Sequence, residues 1–314
     1  MVTRQIEQGR QALVTPLLKW AGGKRQLLPA IRGFYPSAFN AYIEPFFGSG
    51  AVFFDLWSLG RLNGHRAVLI DSNPDLVGCY QMVTAHGEEV AATLDQLADN
   101  YARLGTSHYY EVRDGRFNPL REARRADDGS ISYTPELAAM LIYLNRTGFN
   151  GLFRVNAGGR FNVPAGRYVR PRIADRPRLQ GAAAALGGRH VQLQWGTFAD
   201  VRSIAKRGDF LYIDPPYAPL SATASFTSYT VPRFEAEDHV RLQKVVIELA
   251  HRGCQVLLSN STADAIVVLY DGNQDAEQAG LRAYRVPARR AVNSVASRRG
   301  RVDEYLISNI ARQK

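Results

Sequence analysis

The sequence predicts an α/β fold: a parallel sheet with helices on both faces, broken once by an insert of different character. Three observations carry that expectation. Short apolar runs of strand length alternate with stretches of helical periodicity. Several of those runs stop at glycine, aspartate or proline, as strands do at the ligand-binding edge of an open sheet. The alternation lapses between about residues 75 and 178, where polar, Arg-rich and Gly-rich chain takes over. A length of 314 residues, 46% hydrophobic and 22% charged, suits a folded chain of two domains or of one large domain with an insertion.

The elements follow in order. The first dozen residues are polar and aperiodic and read as a loose arm, with order beginning near Pro16. Residues 41–46 form a strand that ends at Gly48-Ser49-Gly50, and residues 51–59 then turn helical. Residues 67–70 are a second strand, closed by Asp71. Two helical runs, 75–85 and 88–103, lead into a polar loop containing Asp127-Asp128-Gly129-Ser130. Thr134-Pro135-Glu136 opens a further helix with a hydroxyl cap, proline at the first position and an acid in the first turn. Residues 148–178 have little periodicity. Residues 209–213 are a buried strand ending at Asp214, residues 235–252 an amphipathic helix stopped by Gly253, and residues 255–258 another strand.

Charge is unevenly spread. Lys and Arg number 39 against 29 Asp and Glu, for a net +10. Residues 113–178 carry +7 and residues 282–301 another +7, which leaves the rest of the chain at −4. Clustered arginine suits a polyanion, whose counterions it releases. No run approaches the roughly 18 apolar residues of a membrane span, and no signal-peptide core opens the chain, so a cytoplasmic protein is expected. Two cysteines, Cys79 and Cys254, are too few for a disulfide framework or a Cys-rich zinc site, and the six histidines show no ligand spacing, so no metal is expected.

Three motifs carry chemistry. In Glu44-Pro45-Phe46-Phe47-Gly48-Ser49-Gly50 the glycines after a strand let backbone approach a ligand, while Phe53 stands where a dinucleotide site would place its third glycine. Asp71, ending the next strand, is spaced to accept ribose hydroxyls, which together suit a nucleoside-type cofactor. Asp214-Pro215-Pro216-Tyr217 breaks out of its strand because two prolines cannot continue it. The break offers a carboxylate, a free carbonyl and an aromatic face, the requirements for holding a planar exocyclic amine. Finally, Lys19-Trp20-Ala21-Gly22-Gly23-Lys24 sets an indole and an ammonium on either side of a glycine turn.

Taken with the blocks at residues 145–154, 161–168, 212–229 and 289–306, these motifs resemble the Dam-type DNA adenine N6-methyltransferases, the D12 class within the alpha group. The resemblance implies a Rossmann-like methyltransferase sheet, a mainly helical DNA-recognition insert and a C-terminal β-hairpin. It divides the chain into a catalytic part (1–73), a target-recognition part (74–176) and a second catalytic part (177–314). It implies S-adenosylmethionine as methyl donor, held by Trp20, Lys24, Phe46, Gly48, Gly50, Asp71 and Asp214, and catalysis by Asp214, Pro215, Pro216 and Tyr217 on an adenine flipped from duplex DNA. Lys19, Leu152, Arg154 and Pro164 would meet base edges, Phe149 and Asn150 would enter the duplex with Tyr168 nearby, and Arg289, Arg290, Arg298, Arg299 and Arg301 would meet phosphate. The matches point to 5′-GATC; a monomer is the simpler expectation, and a partner restriction endonuclease is undetermined by sequence. N4-cytosine methylation, RNA methylation and a silent DNA-binding protein of the same fold are the alternatives. The first is disfavoured because such enzymes often carry Ser where this chain has Asp214.

Overall fold

The computed structural model describes residues 13–219, 234–289 and 301–313. The expected loose arm at the N-terminus lies outside these residues, as do Thr227 and Tyr229 of the block that follows the D-P-P-Y motif.

Among the described residues seven strands form one sheet: β1 (Ala41–Glu44), β2 (Arg66–Asp71), β3 (Val191–Trp195), β4 (Phe210–Ile213), β5 (Gln255–Ser261), β6 (Arg282–Arg289) and β7 (Arg301–Ser308). Their spatial order is β3-β2-β1-β4-β5-β7-β6. The first five run parallel, and β7 enters antiparallel between β5 and β6. The expected strands are all present, and the expected hairpin is β6 with β7, Arg289 standing opposite Arg301. β3 is an addition. As an edge strand with Gln at alternate positions and no fully buried residue, it lacks the apolar run that marks the central strands.

Side chains alternate cleanly across the central strands. Tyr42, Leu69, Phe210, Tyr212, Leu257 and Leu306 enter the core on one face of the sheet. Ile43, Val68, Ile70, Leu211, Ile213, Val256, Leu258 and Ile307 enter the core on the other. On that second face lie α9 (Val201–Ile204), α10 (Ala236–His251), α11 (Asp264–Tyr270) and α12 (Gln274–Gln278). On the first lie α1 (Leu28–Arg32), α2 (Ala51–Ser58), α3 (Pro74–Ala85) and α8 (Arg176–Leu186).

The insert extends the first core instead of forming its own. It contains α4 (Gly87–Leu104), α5 (Thr106–Tyr110), a π-helical stretch (Glu111–Phe117), α6 (Asn118–Ala123) and α7 (Pro135–Thr147). All of α7 from Leu137 to Thr147 is buried, packed against α3 and α4. As expected, the Thr134 hydroxyl accepts the N–H of Leu137 at its start. α3 packs both on α7 and on β2 and β3, so a boundary at residue 74 runs along a helix shared by the two parts. Within α6, ahead of the expected polar loop, buried Arg121 pairs with buried Asp75 at 2.6 and 2.8 Å. Tyr133 adds its hydroxyl to the same carboxylate at 2.9 Å.

Candidate active site

In this sheet β1 has β2 on one side and β4 on the other, so the direction of winding reverses beside β1 and a crevice opens at the strands' carboxyl ends. Three sequence motifs meet there: the glycine loop after β1, Asp71 at the end of β2, and Asp214 directly after β4.

The glycine loop needs its glycines. Gly48 and Gly50 have φ of +50° and +73°, a region most side chains avoid. A Cβ on Gly50 would lie 2.5 Å from the Phe47 ring, and one on Gly48 would lie 3.3 Å from Cδ1 of Trp20. Asp71 fastens the loop: its Oδ2 accepts the N–H of Gly48 at 2.8 Å and its Oδ1 that of Asn73 at 2.9 Å. Burial raises the Asp71 pKa above the usual carboxylate range, and these two N–H donors oppose the rise. Phe46 stacks on Phe198 at 5.6 Å and meets Phe234 edge-on at 5.6 Å. Neither partner was visible in the motifs. Glu44, beneath the loop, is fully buried and accepts the Tyr42 hydroxyl at 2.7 Å. Burial, reinforced by Asp214 and Asp71, holds its carboxyl well above the usual range.

The D-P-P-Y turn is held from two further strands. Asp214 Oδ1 receives Lys24 Nζ at 2.8 Å and the Ser259 hydroxyl at 2.7 Å. Among the described residues, Oδ2 has no hydrogen-bonding partner. Burial raises the Asp214 pKa, and Lys24 and Ser259 oppose the rise. The Lys24 ammonium also donates to the Gly22 carbonyl at 2.6 Å and lies 4.4 Å from the centre of the Tyr217 ring. Tyr217 donates its hydroxyl to Glu304 of β7 at 2.8 Å. At the tip of β5, Asn260 accepts the N–H of Ala218 at 3.3 Å and Ser261 donates to its carbonyl at 2.7 Å. Ser259, Asn260, Ser261 and Glu304 are the contributors that motif reading missed. The Ser-Asn-Ser run closing a buried strand was the one available signal for the first three.

The aperiodic segment 148–168 is built by side chains reaching in from helices. Asn118 closes a pair of hydrogen bonds with the backbone of Phe161, at 2.8 and 3.0 Å. Tyr109 and Arg113 donate to the Val163 carbonyl at 2.8 and 2.9 Å. The expected base-reading residues stand together on this framework. Phe149 is 48% exposed, and Asn150 beside it adopts φ +54°. Arg154 donates to Oδ1 of Asn162 at 2.7 Å, and Leu152 is half-buried. Pro164 is exposed, and its carbonyl accepts the N–H of Phe149 at 2.8 Å. Lys19 reaches over from the catalytic side, its ammonium 3.3 Å from the Tyr168 hydroxyl.

The charge reading needs correction. Buried Arg121 ties α6 to α3, and buried Arg146 donates to the Leu17 carbonyl at 2.5 Å. Arg176 pairs with Asp95 and Glu88, and Arg172 and Arg178 pair with Asp175. These arginines answer acids and carbonyls of the fold, so the +7 of residues 113–178 does not all face outward. Arg290, Arg298 and Arg299 lie outside the described residues, and Arg289 and Arg301 are described only through their backbone.

The crevice fits the S-adenosylmethionine that the resemblance implies. Its glycine loop leaves no room for Cβ atoms, a buried carboxylate closes β2, and half-buried Phe46 follows β1 in the loop. At its floor a carboxylate and an aromatic face already surround a cation, the Lys24 ammonium. Among the described residues, no group of three or more His, Cys, Asp or Glu is placed to hold a metal ion, and no helix is long and apolar enough to cross a membrane.

The profile of the D12 class N6 adenine-specific DNA methyltransferases matches residues 20–284. The chain is 36% identical over 299 residues to the type II methyltransferase M1.LlaDCHI of Lactococcus lactis subsp. cremoris, covering 94% of this chain and 95% of that one. It is 36% identical over 310 residues to the type II methyltransferase M.MjaIII of Methanocaldococcus jannaschii, covering 94% and 99%. It is 33% identical over 292 residues to the DNA adenine methylase of Escherichia coli K12, covering 92% and 93%.

Proposed function

The chain belongs to the D12 class N6 adenine-specific DNA methyltransferases and uses S-adenosylmethionine, and from that premise we propose that it methylates an adenine flipped out of duplex DNA within 5′-GATC. When bound, S-adenosylmethionine supplies a methyl group already activated by its sulfonium, so the protein's task is positioning and electrostatics. Trp20, Lys24, Phe46, Gly48, Gly50, Asp71 and Asp214 would hold it.

The observation that carries this reading is the division of labour on Asp214. Lys24 and Ser259 both converge on Oδ1, which supports a reading in which Oδ2 and the Pro215 carbonyl accept the two N6 protons. Those acceptors would pull the two N–H hydrogens out of the ring plane, so that the nitrogen pyramidalises, its lone pair is free for the methyl group, and one of the two protons leaves once the N–C bond has formed. Tyr217 offers its ring to the extruded base, with the hydroxyl anchored on Glu304 so that the plane of the ring is set before the base arrives. Pro216 prevents the turn from re-forming strand. Lys24 lies over that same ring and must withdraw if the base is to stack on the face it covers. On the DNA side, Arg154 is suited to a guanine edge, and Leu152 and Pro164 to thymine methyls. Phe149 and Asn150 project where a duplex would be entered. The choice of 5′-GATC rests on the match of these positions to the family.

The test is labelled methyl transfer to duplex DNA, then nucleoside analysis and mapping of modified sites. N6-methyladenine confined to GATC is expected, with Asp214→Ala lowering kcat by at least about 10²-fold. Arg154→Ala should relax site choice and leave cofactor affinity within about threefold. N4-methylcytosine, or undiminished activity in Asp214→Ala, would overturn the proposal.

A further inference from the structure

Between the cofactor strap (residues 17–24) and the base-reading segment (148–154) lies one side chain that touches both. Asn145, in the last turn of α7, is 2% exposed and uses its entire amide. Its Oδ1 accepts the N–H of Lys19 at 2.8 Å, and its Nδ2 donates to the carbonyls of Lys19 and Gly151, each at 2.8 Å. Its neighbour Arg146 holds the Leu17 carbonyl. Gly151, at φ +65°, backs onto Lys19 so closely that a Cβ would lie 2.6 Å from the lysine's own Cβ. One residue beyond Lys19, Trp20 stacks on Phe153 at 5.6 Å and 25°. The same indole lies against Gly48, whose N–H is fastened to Asp71. A continuous path of contacts therefore runs from the residues flanking Arg154 to the cofactor loop.

We infer that Asn145 is a positioning residue that locks the cofactor strap and the base-reading segment into one frame, so that cofactor and target duplex each bind more tightly when the other is present. The inference rests on the proposed roles of those two segments. Its physical basis is simple. A ligand that orders the strap also orders the reading segment through three short hydrogen bonds and a ring stack, and the second ligand then meets an ordered site. Such coupling is reciprocal. Asparagine is required because one acceptor and two donors must emerge from one short side chain. Aspartate has the same shape but would face two carbonyl oxygens with no hydrogen to offer.

The test measures S-adenosylhomocysteine binding by calorimetry, alone and with saturating duplex carrying whichever site the mapping above returns. For the wild type the duplex should tighten binding at least about fivefold. In Asn145→Asp and Asn145→Ala that ratio should fall to within about twofold of unity. Val90→Ala, which loosens the insert core away from the bridge, should lower the melting temperature and keep the wild-type ratio; a merely structural Asn145 would behave the same way. If both Asn145 variants fail to fold, Gly151→Ala decides, since a Cβ there would press on Lys19 and part the two backbones that the amide joins: a ratio at least about halved supports the inference, and an unchanged one overturns it. A wild-type ratio of one, or a wild-type ratio kept by Asn145→Ala, also overturns it. A wild-type protein that methylates no DNA sinks the functional reading itself, and the mapping step reveals that separately.

Discussion

Ser259 shows how much of this site depends on single hydrogen bonds. Its hydroxyl donates to Asp214 and stabilises the charged carboxylate. The proposed chemistry needs Asp214 ionised, and burial already raises its pKa. Activity should therefore fail on the acid side at a pH above that of an ordinary aspartate. Ser259→Ala removes a donor that lowers the pKa, so the acid limb of the kcat profile should move to higher pH, with kcat at neutral pH down by about tenfold for a missing charge-assisted bond. An acid limb that stays in place would show that Ser259 does not act through Asp214. At this scale the sequence disclosed one kind of residue and hid another. Asp71, Asp214 and the glycines could be read because they sit where a strand stops. Glu304 could not, and Ser259 only as part of a Ser-Asn-Ser run, because they meet their partners 87 and 45 residues away along the chain, and a polar residue in a strand carries no sign of what it will face.

Elements show a similar division. Central strands and capped helices were legible because burial imposes a period on apolar residues. β3 was not, being an edge strand with alternating glutamines. Nor was segment 148–168, whose shape comes from Tyr109, Arg113, Asn118 and Asn145 reaching in from helices. A buried pair serves α6 in the same manner. Arg121 fastens α6 to α3 through Asp75, with Tyr133 sharing the carboxylate. Arg121→Met should destabilise the fold by ~3–5 kcal/mol, because Asp75 would stay buried with its charge uncompensated. Chemical denaturation checks this. A loss below ~1 kcal/mol would mean that Asp75 finds water or another cation.

For the molecule as a whole, net charge overstates the surface offered to DNA. Several arginines of the insert are occupied by Asp95, Asp175, Glu88 and Asp75. Exposed Arg167 and Arg170 make no ion pair among the described residues. Replacing both of them with Gln should reduce the slope of log K against log salt by about 1–2, near 0.9 for each phosphate left without its cation. Arg176→Gln should leave the slope unchanged. Filter binding over a salt series separates the two cases, and a lowered slope for Arg176→Gln would show that its pairs open on DNA.

The seating of β7 also bears on how the protein comes into being. A polypeptide is made from its amino end, so the glycine loop and Asp71 exist early, and Asp214 has its lysine as soon as β4 joins β1. Tyr217 waits for Glu304, which arrives with the strand that inserts between β5 and β6. A nascent chain can thus assemble the crevice well before it can fix the ring proposed to receive the target base. The proposed site is complete only with the closing hairpin docked along β5, so competence to modify DNA should come only after nearly the whole described chain has been made.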